Sequence, residues 1–245
     1  MNTNVNVTSV TACFPCFNDS KTIATMVRDV QGALAPLVDD LEMIVVDDGS
    51  TDASVEVLRS LQREIPRLKV VVHETNQGYG AALISAFGAA TKEWVFYTDG
   101  DGQYDAKEAA LMIGAVADDT DIVQGYKIGR GDNLARRFIG RAYHHVVKLL
   151  FRLPVRDTDC DFRLLRRQLV IDHPLTSTSG VICVEMMRAL YSANAHFVEL
   201  PIHHYFRPHG RSQFFRIPHL ARSALGLASL WWRVMLRPPR DGKDH

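Results

Sequence analysis

Two aspartates one residue apart, each followed by glycine, run into an amide: Asp99-Gly100-Asp101-Gly102-Gln103. Two carboxylates and an amide oxygen form a hard oxygen donor set for Mg²⁺ or Mn²⁺, and a diphosphate can complete the shell. Such an ion assists a departing nucleoside diphosphate as a Lewis acid, and the glycines let the backbone turn sharply between the acids. Turns use the same residues freely, so a plain loop is the competing explanation. Asp47-Asp48-Gly49-Ser50-Thr51-Asp52 sets two carboxylates before a helix start. A carboxylate there can bind the N–H groups of a base or the hydroxyls of a ribose. A capped turn with Ser50 or Thr51 as N-cap explains Ser50 and Asp52, but not two acids at a buried strand end. Phe14-Pro15-Cys16-Phe17-Asn18-Asp19 and Asn76-Gln77-Gly78-Tyr79-Gly80-Ala81-Ala82 complete the set. Gly78-x-Gly80 fails as a dinucleotide fingerprint because Leu83 stands where Gly or Ala is required. Glycines at a helix start still let the backbone approach a ligand.

All four clusters fall where strand-like runs end. Strand-like and helix-like runs alternate: Val5 to Phe14, Thr22 to Leu34, Met43 to Asp47, Ala53 to Arg63, Val70 to His73, Tyr79 to Ala90, Trp94 to Asp99, Lys107 to Val116 and Ile122 to Gly125. That alternation predicts an α/β domain, a mostly parallel sheet flanked by helices. Met43-Ile44-Val45-Val46 lacks period-two polarity, as strands buried on both faces do. Ligands of parallel sheets bind beyond the carboxyl ends of the strands, where these clusters lie. After Tyr126 come a basic helix-like stretch, Leu134 to Leu150, an acidic loop, a helix around Val184 to Tyr191 and a strand-like run from Phe197 to Tyr205. Phe214 to Leu236 is apolar and aromatic, but Arg222 and Arg233 leave too short an uncharged run to span a bilayer. With Trp231, Trp232 and bases at Arg216, Arg237 and Arg240 it reads as an amphipathic helix at a membrane surface, with packing on the domain as the alternative.

The chain has 245 residues, 47% of them hydrophobic, enough for a sizeable core. Its net charge is zero, yet residues 1–125 hold 19 acids and 8 bases while 126–245 hold 9 acids and 20 bases. An acidic first half suits a cation, and a basic second half suits phosphate or an anionic membrane face. Cys13, Cys16, Cys160 and Cys183 are too scattered for a disulfide framework, and a reducing cytoplasm is expected. Cys13-x-x-Cys16 has redox spacing, but the chain is far longer than a thioredoxin-like module.

In order and spacing the four clusters resemble family 2 glycosyltransferases of the GT-A (Rossmann-like) fold. The resemblance implies that Pro15, Phe17, Asp19 and Asp48 hold the nucleotide, that Gly78, Gly80 and Asp99 line the nucleotide-sugar site, and that Asp99, Asp101 and Gln103 hold Mg²⁺ or Mn²⁺. Phe17 and Asp19 stand where the family pattern has Tyr and Glu. Gly125-Tyr126-Lys127, Arg136-Arg137-Phe138-Ile139-Gly140-Arg141, Asp157 to Arg163 and Arg207-Pro208-His209-Gly210-Arg211-Ser212-Gln213 are similar to the polyprenyl-phosphate subgroup, which includes dolichol-phosphate mannose synthases. That similarity implies a GDP- or UDP-sugar donor and a polyprenyl or dolichyl phosphate held by Lys127, Arg136, Arg163, Arg207 and Ser212. Asp101, Lys127 and Arg136 are then the catalytic candidates. Lys127 replaces an arginine and can hold phosphate only as a point charge. Asp161 puts an acid where glycine is usual.

The expected layout is a catalytic domain over 1–212, with a donor half 1–125 and an acceptor half 126–212, and a basic amphipathic tail over 213–245. A peripheral position on the cytoplasmic membrane face, with or without an anchoring partner, is expected, and no nucleic-acid partner. A phosphate acceptor needs positioning more than a base. A hydroxyl on a soluble acceptor needs one, with Asp159, Asp161 and Glu185 as candidates. A nucleotide-binding protein without turnover is the non-enzyme alternative.

Overall fold

A computed structural model of the chain describes residues 7–129, 144–207 and 217–236. In β1 (Ser9–Cys16), every residue from Val10 onward is buried, because its alternate side chains enter two different cores. Val10, Ala12, Phe14 and Cys16 join one cluster with α1 (Ile23–Leu34) and α2 (Ser54–Glu64). Cys13 joins the other, with α3 (Tyr79–Ala89). This two-sided burial explains the missing period-two polarity; each fully buried Val, Leu or Phe contributes about 1.5–3 kcal/mol. It also separates Cys13 from Cys16 on opposite faces, both as free thiols, so no redox pair forms.

The strands β2 (Asp40–Asp47), β3 (Leu68–Val72), β4 (Trp94–Thr98), β5 (Ile122–Ile128), β6 (Phe162–Arg166) and β7 (Phe197–His203) complete a seven-stranded sheet of order β3-β2-β1-β4-β6-β5-β7. The pairs β1–β2, β2–β3, β1–β4 and β5–β7 are parallel, while β6 runs antiparallel between β4 and β5. The mostly parallel sheet expected from the alternation is present. Strand β6 was not visible in the sequence, because Phe-Arg-Leu-Leu-Arg carries charges at positions that strand patterning reads as loop. The line at 125/126 falls inside β5, so both halves share one sheet.

The first core is covered by α1, α2 and α4 (Ala109–Gly114). The second is covered by α3, the helical residues 144–151 (α5), α6 (Arg167–Asp172), α7 (Ile182–Ser192) and α8 (Ile217–Trp231). Of the basic helix expected from Leu134, residues 134–143 lie outside the described residues. In α8, Leu230 is buried and Leu227 and Trp231 pack on the second core, as does Val234 in the helical turn Trp232–Leu236 that follows. The Trp231 indole N–H donates to the Leu150 carbonyl at 3.0 Å, and Arg233 pairs with Glu185 at 2.9 Å. Leu227, Leu230 and Trp231 of the helix expected at a membrane surface are therefore turned onto the domain, while Leu225 and Trp232 stay exposed; Arg216, Arg222, Arg237 and Arg240 lie outside the described side chains. Among the described residues no helix is long and apolar enough to cross a membrane.

Candidate active site

Strand β1 is flanked by β2 on one side and β4 on the other, so the chain reverses direction across the sheet there. A crevice opens at such a switch point. Pairing of β1 with β4 ends at Cys13, two residues before Pro15, which has no N–H to offer a ladder. The loop after β4 folds against this gap: the Thr22 hydroxyl donates to the Gly100 carbonyl at 2.7 Å. A Cβ on Gly100 would stand 2.8 Å from Ile23 and 3.2 Å from the Pro15 carbonyl.

The β1 and β2 loops are stapled together. The Asn18 amide oxygen accepts from the Thr51 and Asp52 N–H groups at 2.8 and 3.2 Å, and Asn18 N–H donates to the Ser50 hydroxyl at 2.9 Å. Neither Ser50 nor Thr51 caps α2; Asp52 receives the Ser54 N–H at 2.9 Å instead. This staple holds Phe17 and Asp19 at the crevice. Asp48, expected on the nucleotide, is 3% exposed. Its oxygens accept from His73 Nδ1 at 2.7 Å and from the N–H groups of Gln77 and Gly78 at 2.9 and 2.8 Å. Asp48 therefore shapes the glycine loop from behind.

The glycines also differ from expectation. The Gly80 and Ala81 N–H groups at the start of α3 donate to the Thr178 carbonyl at 2.9 and 3.3 Å. A Cβ on Gly78 would stand 2.4 Å from the Thr178 oxygen; one on Gly80 would stand 2.1 Å from the Ser177 oxygen. What approaches Gly78 and Gly80 is the chain's own 177–179 loop, which Glu185 secures through Thr176 and Ser177. Glu185 is thus tied to this loop and to Arg233, and is not placed to serve as a base. Gly80→Ala is expected to cost about 1–3 kcal/mol, because backbone on both sides must shift; urea melts of the two proteins measure it.

Asp99 and Asp101 leave β4 together. The Tyr79 hydroxyl donates to Asp99 at 2.9 Å. Burial pushes the Asp99 carboxyl well above the usual carboxylate range, and Asp161 and then Asp101 add to the shift. Asp101 accepts the Gln103 N–H at 3.0 Å on one oxygen and the Arg207 guanidinium on the other. Gln103 donates its side-chain amide to the Tyr205 carbonyl at 3.1 Å. Lys127, on β5, donates to the Asp159 carbonyl. Burial works against its charge, but Asp157 and the neighbouring acids outweigh burial and raise its pKa. Asp99, Asp101, Gln103, Lys127 and Arg207 thus share one region; Arg136 and Ser212 lie outside the described residues.

Arg163 does not join them. It is 0% exposed and donates to Gln124, to the Tyr97 hydroxyl and, at 2.8 Å, to the Thr158 carbonyl. Expected at the acceptor phosphate, it is instead a strut inside the sheet.

The donor set fits a hard divalent cation. Burial, Asp161 and Asp101 all disfavour the Asp99 anion, a penalty that a bound cation would relieve, and Asp101 already draws a cationic side chain onto itself. His144, Asp157 and Asp159 form a second group whose ligand atoms lie within 4.8 Å of one another. The sequence signal for it was a second Asp-x-Asp, but His144 is distant in the chain.

Burial, then Asp101, pushes the Asp19 carboxyl up to about 6 from 3.8. A carboxyl with a raised folded pKa takes up protons on folding. Its stabilising contribution is complete below about pH 4 and is lost as pH rises through about 6. In the metal-free protein, Asp19→Asn is therefore expected to gain stability relative to wild type between pH 4 and 7, as urea melts across that range would show.

The sequence profile of Glycosyl transferase family 2 matches residues 11–173. Two curated relatives are both named undecaprenyl-phosphate 4-deoxy-4-formamido-L-arabinose transferase. One, from Enterobacter sp. (strain 638), is 25% identical over 207 residues, covering 84% of this chain and 62% of the relative. The other, from Pseudomonas fluorescens (strain Pf0-1), is also 25% identical and is covered over 60% of its length. The chain thus spans less than two thirds of either relative. Among solved structures, glucosyl-3-phosphoglycerate synthase from Mycobacterium tuberculosis with phosphoglyceric acid superposes with TM-score 0.70 at 16% identity, over 92% of this chain and 79% of that one. The same enzyme with Mn²⁺, UDP and glucosyl-3-phosphoglycerate gives TM-score 0.67, again at 16% identity, 92% and 79% coverage. These likenesses are to the fold.

Proposed function

The chain belongs to glycosyl transferase family 2, and we propose that this glycosyltransferase moves one sugar from a nucleoside diphosphate to a polyprenyl phosphate with inversion at the anomeric carbon. The observation that carries the reading is the contact of Arg207, from the acceptor half, with Asp101 at the end of β4. A base able to hold an acceptor phosphate thereby stands beside the carboxylate meant for the donor's diphosphate. The curated relatives are named for transfer involving undecaprenyl phosphate, which supports the same acceptor class.

A phosphate monoester is already an anion at neutral pH, so its oxygen needs no strong base. The chain's task is positioning: Lys127 and Arg207 hold and orient the acceptor phosphate, with Arg136 and Ser212 as further candidates. Asp19, Phe17 and Pro15 line the nucleotide side. Asp99, Asp101 and Gln103 are the residues that would hold Mg²⁺ or Mn²⁺, which when bound supplies positive charge to the departing diphosphate. A neighbouring structure carrying Mg²⁺ and UDP supports that cofactor class. An acceptor of this kind lies in a membrane, so the reading entails contact with the cytoplasmic face, by a surface other than the buried side of α8.

A second reading, transfer to a hydroxyl of a soluble acceptor, is favoured by Asp159. Burial pushes its carboxyl up to about 6, with Lys127 opposing, so it is poised to take a proton near neutrality. Offering a polyprenyl phosphate and its free alcohol side by side, with a panel of GDP- and UDP-sugars and Mn²⁺, separates the two. Transfer to the phosphate alone is expected; glycosylation of hydroxyl acceptors alone would sink the first reading.

A further inference from the structure

The antiparallel register of β4 and β6 pairs Tyr97 with Arg163 and Thr98 with Phe162. Asp99 and Asp161 are the residues that immediately follow β4 and precede β6, one step beyond the end of that ladder. Alternation puts both on the side that carries Tyr97 and Arg163. Like charges directly opposite on neighbouring strands are destabilising, and burial strengthens the penalty. The chain nevertheless fixes both carboxylates. Asp161 accepts from the Cys183 thiol at 3.0 Å and from Arg163 at 3.3 Å, and its own N–H donates to the Tyr104 hydroxyl at 3.0 Å. Arg163 is itself locked by Gln124, Tyr97 and Thr158, so Asp161 is held on a rigid support while its side chain keeps 18% exposure. Asp99 is fixed by Tyr79.

The acids of the site divide into two groups. Asp101 lies with Arg207 and Asp19, on the nucleotide side. Asp99 stands between, acted on by Asp161 and by Asp101, and Asp161 lies beyond it toward Lys127, on the acceptor side. A phosphate beside these two acids would need Lys127 or a cation to offset their charge. A sugar is neutral and brings several O–H donors, which two fixed acceptors can receive without added charge. We propose that Asp161 accepts a hydrogen bond from a hydroxyl of the donor's sugar and so selects which sugar is carried. The proposal rests on the glycosyl-donor reading above and deepens it.

The test compares two ligands on the full chain. With Mn²⁺ present, calorimetry measures binding of UDP or GDP and of the matching nucleotide sugar to wild type and to Asp161→Asn. The expected result is an unchanged affinity for the nucleoside diphosphate and an affinity for the nucleotide sugar lowered about tenfold to a hundredfold. Equal loss on both ligands overturns the proposal in favour of a role at the cation or in the fold. No loss on either leaves Asp161 as the counter-ion of Arg163 and also overturns it. A wild type that binds nucleoside diphosphate but no nucleotide sugar removes the glycosyl-donor reading itself, a failure visible before any variant is made. Should Asp161→Asn not fold, the wild type decides with monodeoxy donors. One of them must lose the same factor, and a series binding uniformly like the parent overturns the proposal.

Discussion

Asp101→Asn is expected to lower metal-dependent sugar transfer about a thousandfold, with the fold intact. A bound cation is worth several kcal/mol to a departing diphosphate, and each 1.36 kcal/mol is tenfold in rate. Asparagine keeps the shape and one oxygen for the Gln103 N–H, so the turn that Asp101 closes at 3.0 Å survives. What it loses is the charge at the oxygen that now draws Arg207. The same contact predicts an opposite effect nearby. Arg207 and the cation compete for one carboxylate, so Arg207→Met should bind Mn²⁺ about tenfold more tightly in the absence of acceptor, the order expected for losing one partly buried ionic competitor. Its transfer rate should fall nonetheless, because the acceptor phosphate loses its base. Mn²⁺ titrations and initial rates on both variants check the pair. Full activity in Asp101→Asn would show that the β4 acids do not serve the reaction.

Much of the frame was legible because burial on both faces leaves an apolar signature in β1, β2 and β4, and because the polar clusters fall just past it. The meeting of Asp99, Asp101, Lys127 and Arg207 across more than a hundred residues was legible only through the resemblance to a family, since nothing local joins them. What remained hidden has a common cause. Asp48, Gly78, Gly80 and Arg163 are residues of the kind that bind ligands, and each here meets another part of the chain. Asp48 receives two backbone N–H groups and His73; the glycines receive the 177–179 loop; Arg163 fills the space between three strands. Residue type reports the kind of partner a side chain can take, but not whether the partner is a ligand or the protein. The packing of α8 was equally ambiguous in sequence, because an apolar stripe suits a core as well as a membrane.

Arg163 gives the second large effect, and it decides between those two kinds of partner. Arg163→Met retains most of the apolar stem but removes every donor from a site with no access to water. Gln124, the Thr158 carbonyl and the Tyr97 hydroxyl lose a partner together, and Asp161 loses the cation 3.3 Å away. Breaking one member of a buried ion pair costs about 3–5 kcal/mol, because the remaining charge and acceptors stay in a low-dielectric interior. For a chain of this size the melting temperature should fall by about 6–20 °C. An arginine holding the acceptor phosphate would behave otherwise: its loss would raise the acceptor KM and leave the melt nearly unchanged, as Arg207→Met is expected to do. Measuring melting temperature and acceptor KM on both variants therefore separates them. A stable Arg163→Met with a raised KM would return Arg163 to the acceptor site, and would mean that β6 presents its charged edge to the ligand.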